Sequence, residues 1–223
     1  MTLWRALLLT FAFAIVEAVT GWWSGSLALM SDAGHMFSDS SALALAALAA
    51  WIAHRPPSAR HSYGFARAEV IAALLNSVAM LLVIIWIAVE AISRLRHPMP
   101  VAGGPVMLVA ALGLIVNLAV AFVLQREEHN INTRAALVHV MGDLLGSLAA
   151  LAAGVVIYFT NWTLIDPILS LLVAALILFS SLNLLREALH VLMEGVPFEI
   201  NLEEVGLAIA GQAGVRSVHD LHI

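Results

Sequence analysis

The stretch SDAGHMFSD, residues 31–39, places a histidine and a carboxylate four positions apart inside a segment that is otherwise apolar. Positions i and i+4 share one face of a helix, so His35 and Asp39 are expected to point in the same direction. The chain repeats this HxxxD arrangement in the segment HVMGD, residues 139–143. Two nitrogen and two oxygen donors therefore become available to a single cation.

The composition indicates a polytopic membrane protein. Of the 223 residues, 62% are hydrophobic and only 11% are charged, which is too little polar surface for a water-soluble globule of this size. All ten basic residues are arginine, the net charge is −5, and no basic run is present that would neutralise a row of phosphates. Nucleic acid is therefore excluded as a partner.

The sequence contains no cysteine, which excludes a disulfide framework and a thiolate metal site. A bound metal would have to be held by histidine, aspartate, glutamate or backbone oxygens.

Six segments are long and apolar enough to cross a bilayer, because a ~30 Å hydrocarbon core needs roughly 20 helical residues. We predict an all-α membrane protein in which residues 1–192 form a six-helix transmembrane domain. The predicted spans are residues 3–22, 26–53, 68–92, 102–124, 134–159 and 164–189.

The arginines near the ends of the spans predict the orientation of the chain. With a cytoplasmic N-terminus, only Arg94 and Arg96 lie on the outer side of the membrane, and we expect both termini in the cytoplasm. The arginines that then face the inner side are Arg5, Arg55, Arg60, Arg67, Arg126, Arg134 and Arg186.

The composition changes after the sixth span. Residues 202–212 have the pattern of a short amphipathic helix, and residues 215–223 begin to alternate like a strand. One helix and one strand cannot bury a core. Residues 193–223 are therefore expected to be a linker and the truncated beginning of a cytoplasmic C-terminal domain.

The two HxxxD pairs favour a divalent cation as their ligand. A charged side chain near the middle of the bilayer costs on the order of 2.5 to 3.5 kcal/mol, so intramembrane carboxylates need a compensating partner. Two imidazole nitrogens and two carboxylate oxygens suit tetrahedral Zn²⁺, whereas an all-oxygen site favours Mg²⁺ or Mn²⁺. Cd²⁺ and Co²⁺ are the alternative substrates of such a site.

Other interpretations of the HxxxD pairs stay open at the level of sequence. Each pair taken alone is compatible with hydrogen bonding between packed helices. A membrane metalloenzyme would use the four ligands to activate water, but no HExxH motif and no nucleophile beside a base are present. A metal sensor would bind the ion without transporting it.

Several further motifs occur together with the two HxxxD pairs and form a specific combination. They are GSLAL (residues 25–29), RHSYGF (60–65), DP (166–167), LMEGVP (192–197) and VHDLHI (218–223). With this combination the whole chain resembles the cation diffusion facilitator family, and within it the zinc-transporting branch.

The resemblance implies a function and an architecture. It implies proton-coupled export of Zn²⁺ from the cytoplasm across the bacterial inner membrane by a homodimer, with protons as counter-ion. It also implies a ferredoxin-like α+β fold for the cytoplasmic domain. The residues that match the transport site of the family are His35, Asp39, His139 and Asp143. Some members of the family bind a second metal in the loop between spans two and three, where His61 and His54 lie, but a solvated loop histidine is the preferred interpretation here. His219 matches a ligand position of the cytoplasmic domain, but its partner ligands would lie beyond Ile223, so an intact metal site is not expected there.

The remaining intramembrane polar residues are assigned simpler roles. Asp32 is expected to cap a helix, with a contribution to the outer mouth of the site as the alternative. Asp166, which precedes a proline, is expected to cap the sixth helix. Interhelical hydrogen bonds are expected for Glu17, Asn76, Glu90 and Asn117.

Overall fold

The structure is a computed structural model that describes residues 2–56, 61, 64, 65, 67–126, 131–197 and 199–223, without the side chains of residues 2–7, 123–126 and 131–139. The regular structure of the described residues consists of α-helices. They are α1 (Thr2–Ser24), α2 (Leu27–Ala53), α3 (Ala68–Arg96), α4 (Gly103–Arg126), α5 (Ile131–Thr160), α6 (Ile165–Leu192) and α7 (Leu202–Ala210).

Five of these helices, α2 to α6, are long and apolar enough to cross a membrane, and α1 is apolar over Leu8–Ser24. In hydrocarbon every backbone N–H and C=O group must be satisfied inside its own segment, which a continuous helix achieves. The prediction of an all-helical multi-pass membrane protein is therefore confirmed for the described residues.

The largest difference between predicted and observed spans lies at the end of α3, which was predicted at residue 92 and continues to Arg96. Arg94 explains the extension, because its Nε donates to Glu90 Oε1 at 2.8 Å, one turn earlier in the helix. Its Nη1 also donates to the carbonyl of Gly25. Pro98 follows shortly after and disfavours helical backbone in the residue that precedes it.

Helix α2 lies at the centre of the bundle. One apolar cluster joins it to α3 and α6 and consists of Leu27, Met80, Ile84, Ile87, Ala91, Val173, Ala174 and Ile177. A second cluster joins it to α4 and α5 and consists of Ala28, Leu29, Val106, Val109, Ala110, Ala150 and Ala153. Helix α1 packs against α2 and α4. The first part of the helix, up to the HxxxD pair, is thus packed against the rest of the membrane domain.

Helices α4 and α5 approach each other closely because of glycines on both sides. A Cβ atom on Gly154 would lie 2.5 Å from the backbone nitrogen of Met107, and one on Gly103 would lie 2.6 Å from that of Tyr158. Small residues permit this contact between backbones in a bilayer, where helix association depends on packing. The close contact fixes α5 relative to its neighbour.

The C-terminal segment agrees with the predictions only in part. The short helix α7 forms, and the side chain of Asn201 caps it by accepting from the Glu203 N–H at 3.0 Å. The predicted strand over residues 215–223 is not formed, and their backbone is irregular. An isolated strand has no neighbour to accept and donate its hydrogen bonds, so the alternating pattern alone does not produce one. The ferredoxin-like domain stays a prediction.

Candidate metal centre

The first part of the candidate site is built on α2. Ser26 starts this helix by accepting a hydrogen bond from the Leu29 N–H at 3.3 Å. Three turns of helix then separate the cap from the pair His35 and Asp39, which share one face. Nδ1 of His35 lies 3.4 Å from Oδ2 of Asp39.

Helix α5 adds a second carboxylate to this pair. Oδ1 of Asp143 lies 3.6 Å from Nε2 of His35, so the imidazole faces one carboxylate with each of its nitrogens. One ligand atom from each of His35, Asp39 and Asp143 lies within 4.8 Å of the others. We refer to these three side chains as the ligand cluster.

The spacing of the ligand cluster suits a small tetrahedral ion. With bonds of about 2.0–2.1 Å, such an ion separates its ligand atoms by roughly 3.3 Å. Nδ1 of His35 lies at a similar distance from Asp39, 3.4 Å, and Nε2 lies 3.6 Å from Asp143. The two ring nitrogens point in different directions, so one ion is bound by only one of them. The side chains of His35, Asp39 and Asp143 are 16%, 26% and 8% exposed. The site is thus shielded on most sides and still accessible to a cation.

The fourth predicted ligand, His139, belongs to the same helix as Asp143 and precedes it by four positions. This spacing puts both residues on one face of α5. The side chain of His139 lies outside the described part of the structure, so its contribution to the cluster stays a prediction.

Asp32 does not cap a helix, and that prediction is wrong. The cap of α2 is Ser26, whereas Asp32 is fully buried within the helix and faces α5. Its Oδ2 accepts from Ser147 Oγ at 2.9 Å, and that hydroxyl accepts from Asn117 Nδ2 at 3.1 Å. Gly146 makes room for the carboxylate, since a Cβ atom there would overlap Asp32 Oδ1. Asp32 therefore links α2 to α5 beside the ligand cluster.

Asp166 also differs from its predicted role. The cap of α6 is Leu164, which makes no side-chain hydrogen bond, and Asp166 lies in the first turn of that helix. Its carboxylate instead accepts from Ser26 Oγ and the Leu27 N–H, both at 2.6 Å, and from the Ala28 N–H at 3.3 Å. A carboxylate at a helix N-terminus satisfies free N–H groups and complements the helix dipole. Asp166 thus holds the start of the helix that carries His35.

The two other histidines proposed as ligands lie apart from the cluster. His61 is exposed, with its ring centroid 4.6 Å from that of Phe65. His219 is exposed beside Asp220, with 3.4 Å between Nδ1 and Oδ2. Among the residues that the structure describes, the ligand cluster is the only group of three potential metal ligands. Metal binding by His54, His61 or His219 stays a prediction.

The predicted interhelical hydrogen bonds are found for two of the four polar residues. Asn76 accepts from Ser38 Oγ at 3.4 Å, between α3 and α2, and Asn117 donates to Ser147, between α4 and α5. The prediction is wrong for Glu90, whose partner Arg94 lies in its own helix. It is also wrong for Glu17, which has no hydrogen-bond partner in the described part of the chain.

Fold and site together define a class: a helical membrane domain with a cation-binding cluster between its spans is typical of a metal-ion transporter. The family comparison agrees, because residues 3–193 match the cation efflux transmembrane domain. The chain belongs to the cation efflux family. The predicted resemblance to the zinc branch of the cation diffusion facilitators is thereby confirmed, and members of the family are secondary transporters and not enzymes.

Individual relatives match the chain over nearly its whole length. The zinc transporter ZitB of Pectobacterium atrosepticum is 45% identical over 221 residues, which are 98% of this chain and 69% of the relative. ZitB of Escherichia coli is 44% identical, over 96% of this chain and 69% of the relative. A cadmium, cobalt and zinc/H(+)-K(+) antiporter of Bacillus subtilis is 38% identical, over 98% and 73% of the two chains.

Proposed function

We propose that this protein exports Zn²⁺ from the cytoplasm by proton-coupled antiport with alternating access. The transported ion binds to His35, Asp39, His139 and Asp143. Relatives named as zinc transporters support zinc as the substrate, and the relative named as a cadmium, cobalt and zinc antiporter supports Cd²⁺ and Co²⁺ as alternatives.

The observation that carries this proposal is that the HxxxD pair of one helix lies beside Asp143, which belongs to the second HxxxD motif on another helix. His35 and Asp39 come from α2, and Asp143 comes from α5, with His139 one helical turn before it. A site shared between two helices of a bundle opens to one side or the other when the helices shift relative to each other. The ligand cluster therefore suits a cation that passes through the protein.

The donor set supports zinc over harder cations. Imidazole nitrogen is a good ligand for Zn²⁺, whereas Mg²⁺ and Mn²⁺ are bound mainly by oxygen. The cluster offers one ligand atom from each of three side chains within 4.8 Å of one another, which favours the few ligands of Zn²⁺ over the six to eight oxygen ligands of Ca²⁺.

Protons are the natural counter-ion because they compete with the metal for the same atoms. Metal binding requires neutral imidazole and ionised carboxylate, and free histidine titrates near pH ~6.5. Moving a +2 charge outwards against a negative-inside potential costs about 4.6 kcal/mol per 100 mV, and each proton that returns recovers about 2.3 kcal/mol. Antiport thus reduces the electrical work of export.

The proposal also includes the arrangement of the protein in the cell. Helices α1 to α6 all cross the bacterial inner membrane, which places both termini in the cytoplasm. The functional unit is a homodimer, as the family resemblance implies. Residues 193–223 lead into a cytoplasmic domain.

Flux measurements in proteoliposomes test both the transport and the coupling. Vesicles that contain the protein, a zinc-sensitive dye and a pH-sensitive dye are expected to take up Zn²⁺ while protons move in the opposite direction. Zn²⁺ is expected to be transported faster than Mn²⁺, with Cd²⁺ and Co²⁺ measured in parallel. Protein-free vesicles provide the control.

The outcomes of this experiment separate the alternatives. Binding of zinc without flux would identify a metal sensor. Zinc flux without proton movement would identify a uniporter, and a clear preference for Mn²⁺ would contradict the assignment of imidazole ligands.

A further inference from the structure

Glu17 is an intramembrane carboxylate for which the metal-binding role provides no explanation. It lies on α1, which contributes no residue to the ligand cluster, and it is 0% exposed. Both carboxylate oxygens are buried and have no hydrogen-bond partner among the described residues. A buried ionised carboxylate without partners costs several kcal/mol, so some cation must offset the charge.

The immediate surroundings of Glu17 offer no such cation from the protein. Its Oε1 faces α4 at Gly113, where a Cβ atom would lie 2.8 Å away, and the ring of Phe13 lines the same space. The only basic residues of α1, α2, α4 and α5 are Arg5, Arg126 and Arg134, all within the first or last turn of their helices. The middle of this part of the bundle is therefore without an arginine or a lysine.

Among the side chains that the structure describes, those that act electrostatically on Glu17 are acidic, namely Asp32 on α2 and Asp143 on α5. The remaining titratable groups of α2 are His35 and Asp39, and α4 has none between its ends. Helix α5 also carries His139, whose side chain lies outside the described part. Four carboxylates thus share the interior of the bundle, and a divalent cation neutralises only two of them.

A proton fits the space at Glu17 better than a second metal ion. A metal ion needs several ligand atoms, whereas Gly113 and Phe13 supply no side-chain ligand and Glu17 belongs to no group of three potential metal ligands among the described residues. A proton needs only one carboxylate oxygen. Asp32 is held differently, because Ser147 donates to one of its oxygens and stabilises its charge. Glu17 is therefore the carboxylate of this group that gains most from protonation.

We propose that Glu17 binds a proton in the metal-free transporter and releases it when a divalent cation occupies the ligand cluster. This inference rests on the proposed function and adds a coupling residue outside the metal ligands. The +2 charge of the ion, placed beside Asp143, stabilises an ionised Glu17 through space. Loss of the ion restores the acidic surroundings, and the proton returns to Glu17.

The test is to count the protons that are released when zinc binds to the purified full chain. Calorimetric titrations with ZnCl₂ in two buffers of different ionisation enthalpy give this number. The Glu17→Gln variant keeps the shape of the protonated side chain and is expected to release about one proton fewer than the wild type. In the pH range where Glu17 titrates, each pH unit is also expected to change the zinc affinity of the variant by a factor about ten times smaller than in the wild type.

The matched control is Glu90→Gln, which makes the same chemical change on α3, where the carboxylate is paired with Arg94. This control is expected to release as many protons as the wild type. An unchanged proton count in Glu17→Gln, with zinc binding intact, would overturn the assignment of Glu17 alone. Absence of zinc binding by the wild type would overturn the proposed function together with this inference.

A second measurement does not depend on the folding of a variant. Infrared difference spectra of the wild type, recorded before and after zinc addition, are expected to lose the carbonyl stretch of a protonated carboxylic acid. The Glu17→Asp variant is expected to show this band at a different frequency. If no such band disappears on zinc binding to the wild type, Glu17 does not release a proton and the inference is wrong.

Discussion

Replacing Asp143 by asparagine is expected to reduce the affinity for Zn²⁺ by roughly 100-fold or more and to abolish zinc flux into proteoliposomes. Loss of a residue that only hydrogen-bonds to a metal ligand already lowers the metal affinity 10- to 100-fold. Asp143 is proposed as a direct ligand, so its loss is expected to cost more. Asparagine has nearly the same shape, so the buried position between α2 and α5 stays filled. Calorimetry with ZnCl₂ and dye-based flux measurements give the two readouts.

The matched control for this variant is Asp220→Asn, because the side chain of Asp220 is 91% exposed and lies outside the membrane helices. It is expected to retain the affinity and flux of the wild type. His139→Ala is expected to behave like Asp143→Asn. If Asp143→Asn binds and transports zinc like the wild type at equal dimer content, the assigned site is wrong.

Replacing Asp166 by alanine is expected to lower the stability of the membrane domain by about 3–5 kcal/mol, the range found when one partner of a buried ion pair is removed. The carboxylate is fully buried and accepts from Ser26 and from the first two N–H groups of α2. It also lies 4.0 Å from Nη1 of Arg94, which is only 12% exposed. Alanine removes the acceptor of Ser26 Oγ and of the two N–H groups, whereas Arg94 keeps its bonds to Glu90 and to the Gly25 carbonyl.

The thermal unfolding midpoint in detergent, followed by circular dichroism, measures this effect. Asp166→Asn keeps one acceptor oxygen, so its unfolding midpoint is expected to lie between those of the wild type and the alanine variant. Asp220→Ala, which removes an exposed carboxylate, provides the control. An unchanged midpoint for Asp166→Ala would show that the start of α2 does not depend on this carboxylate.

The membrane helices were predictable because the bilayer imposes a simple requirement on the sequence. Apolar runs of sufficient length had to form helices, and loops had to fall at the glycine, proline and charged residues between them. The error at the end of α3 has a specific cause. Arg94 ends the apolar run, but its bonds to Glu90 and to the Gly25 carbonyl continue the helix.

The ligand cluster was predictable for a different reason. The i,i+4 spacing fixes His35 and Asp39 on one face, and the repetition of the motif indicated that α5 would face α2. The contact between His35 and Asp143 agrees with that expectation. Whether these residues bind metal is a question of chemistry that spacing alone cannot answer.

The roles of Asp32 and Asp166 were not predictable, because both depend on contacts between distant parts of the chain. Asp166 accepts from the first N–H group of a helix that begins 139 residues earlier, at Leu27. Asp32 is accommodated only because Gly146 and Ser147 on α5 leave room and donate a hydrogen bond. A signal was present in the Gly-Ser pair one turn after Asp143, but the sequence does not reveal which side chain it contacts.

The central claim is that a transported cation binds between α2 and α5, and anomalous diffraction at the zinc absorption edge tests it most directly. Crystals of the full chain grown with ZnCl₂ are expected to show a peak about 2.0–2.2 Å from ligand atoms of both helices. The predicted ligands are His35, Asp39, His139 and Asp143. A membrane domain whose zinc peaks all lie away from these four side chains would contradict the account.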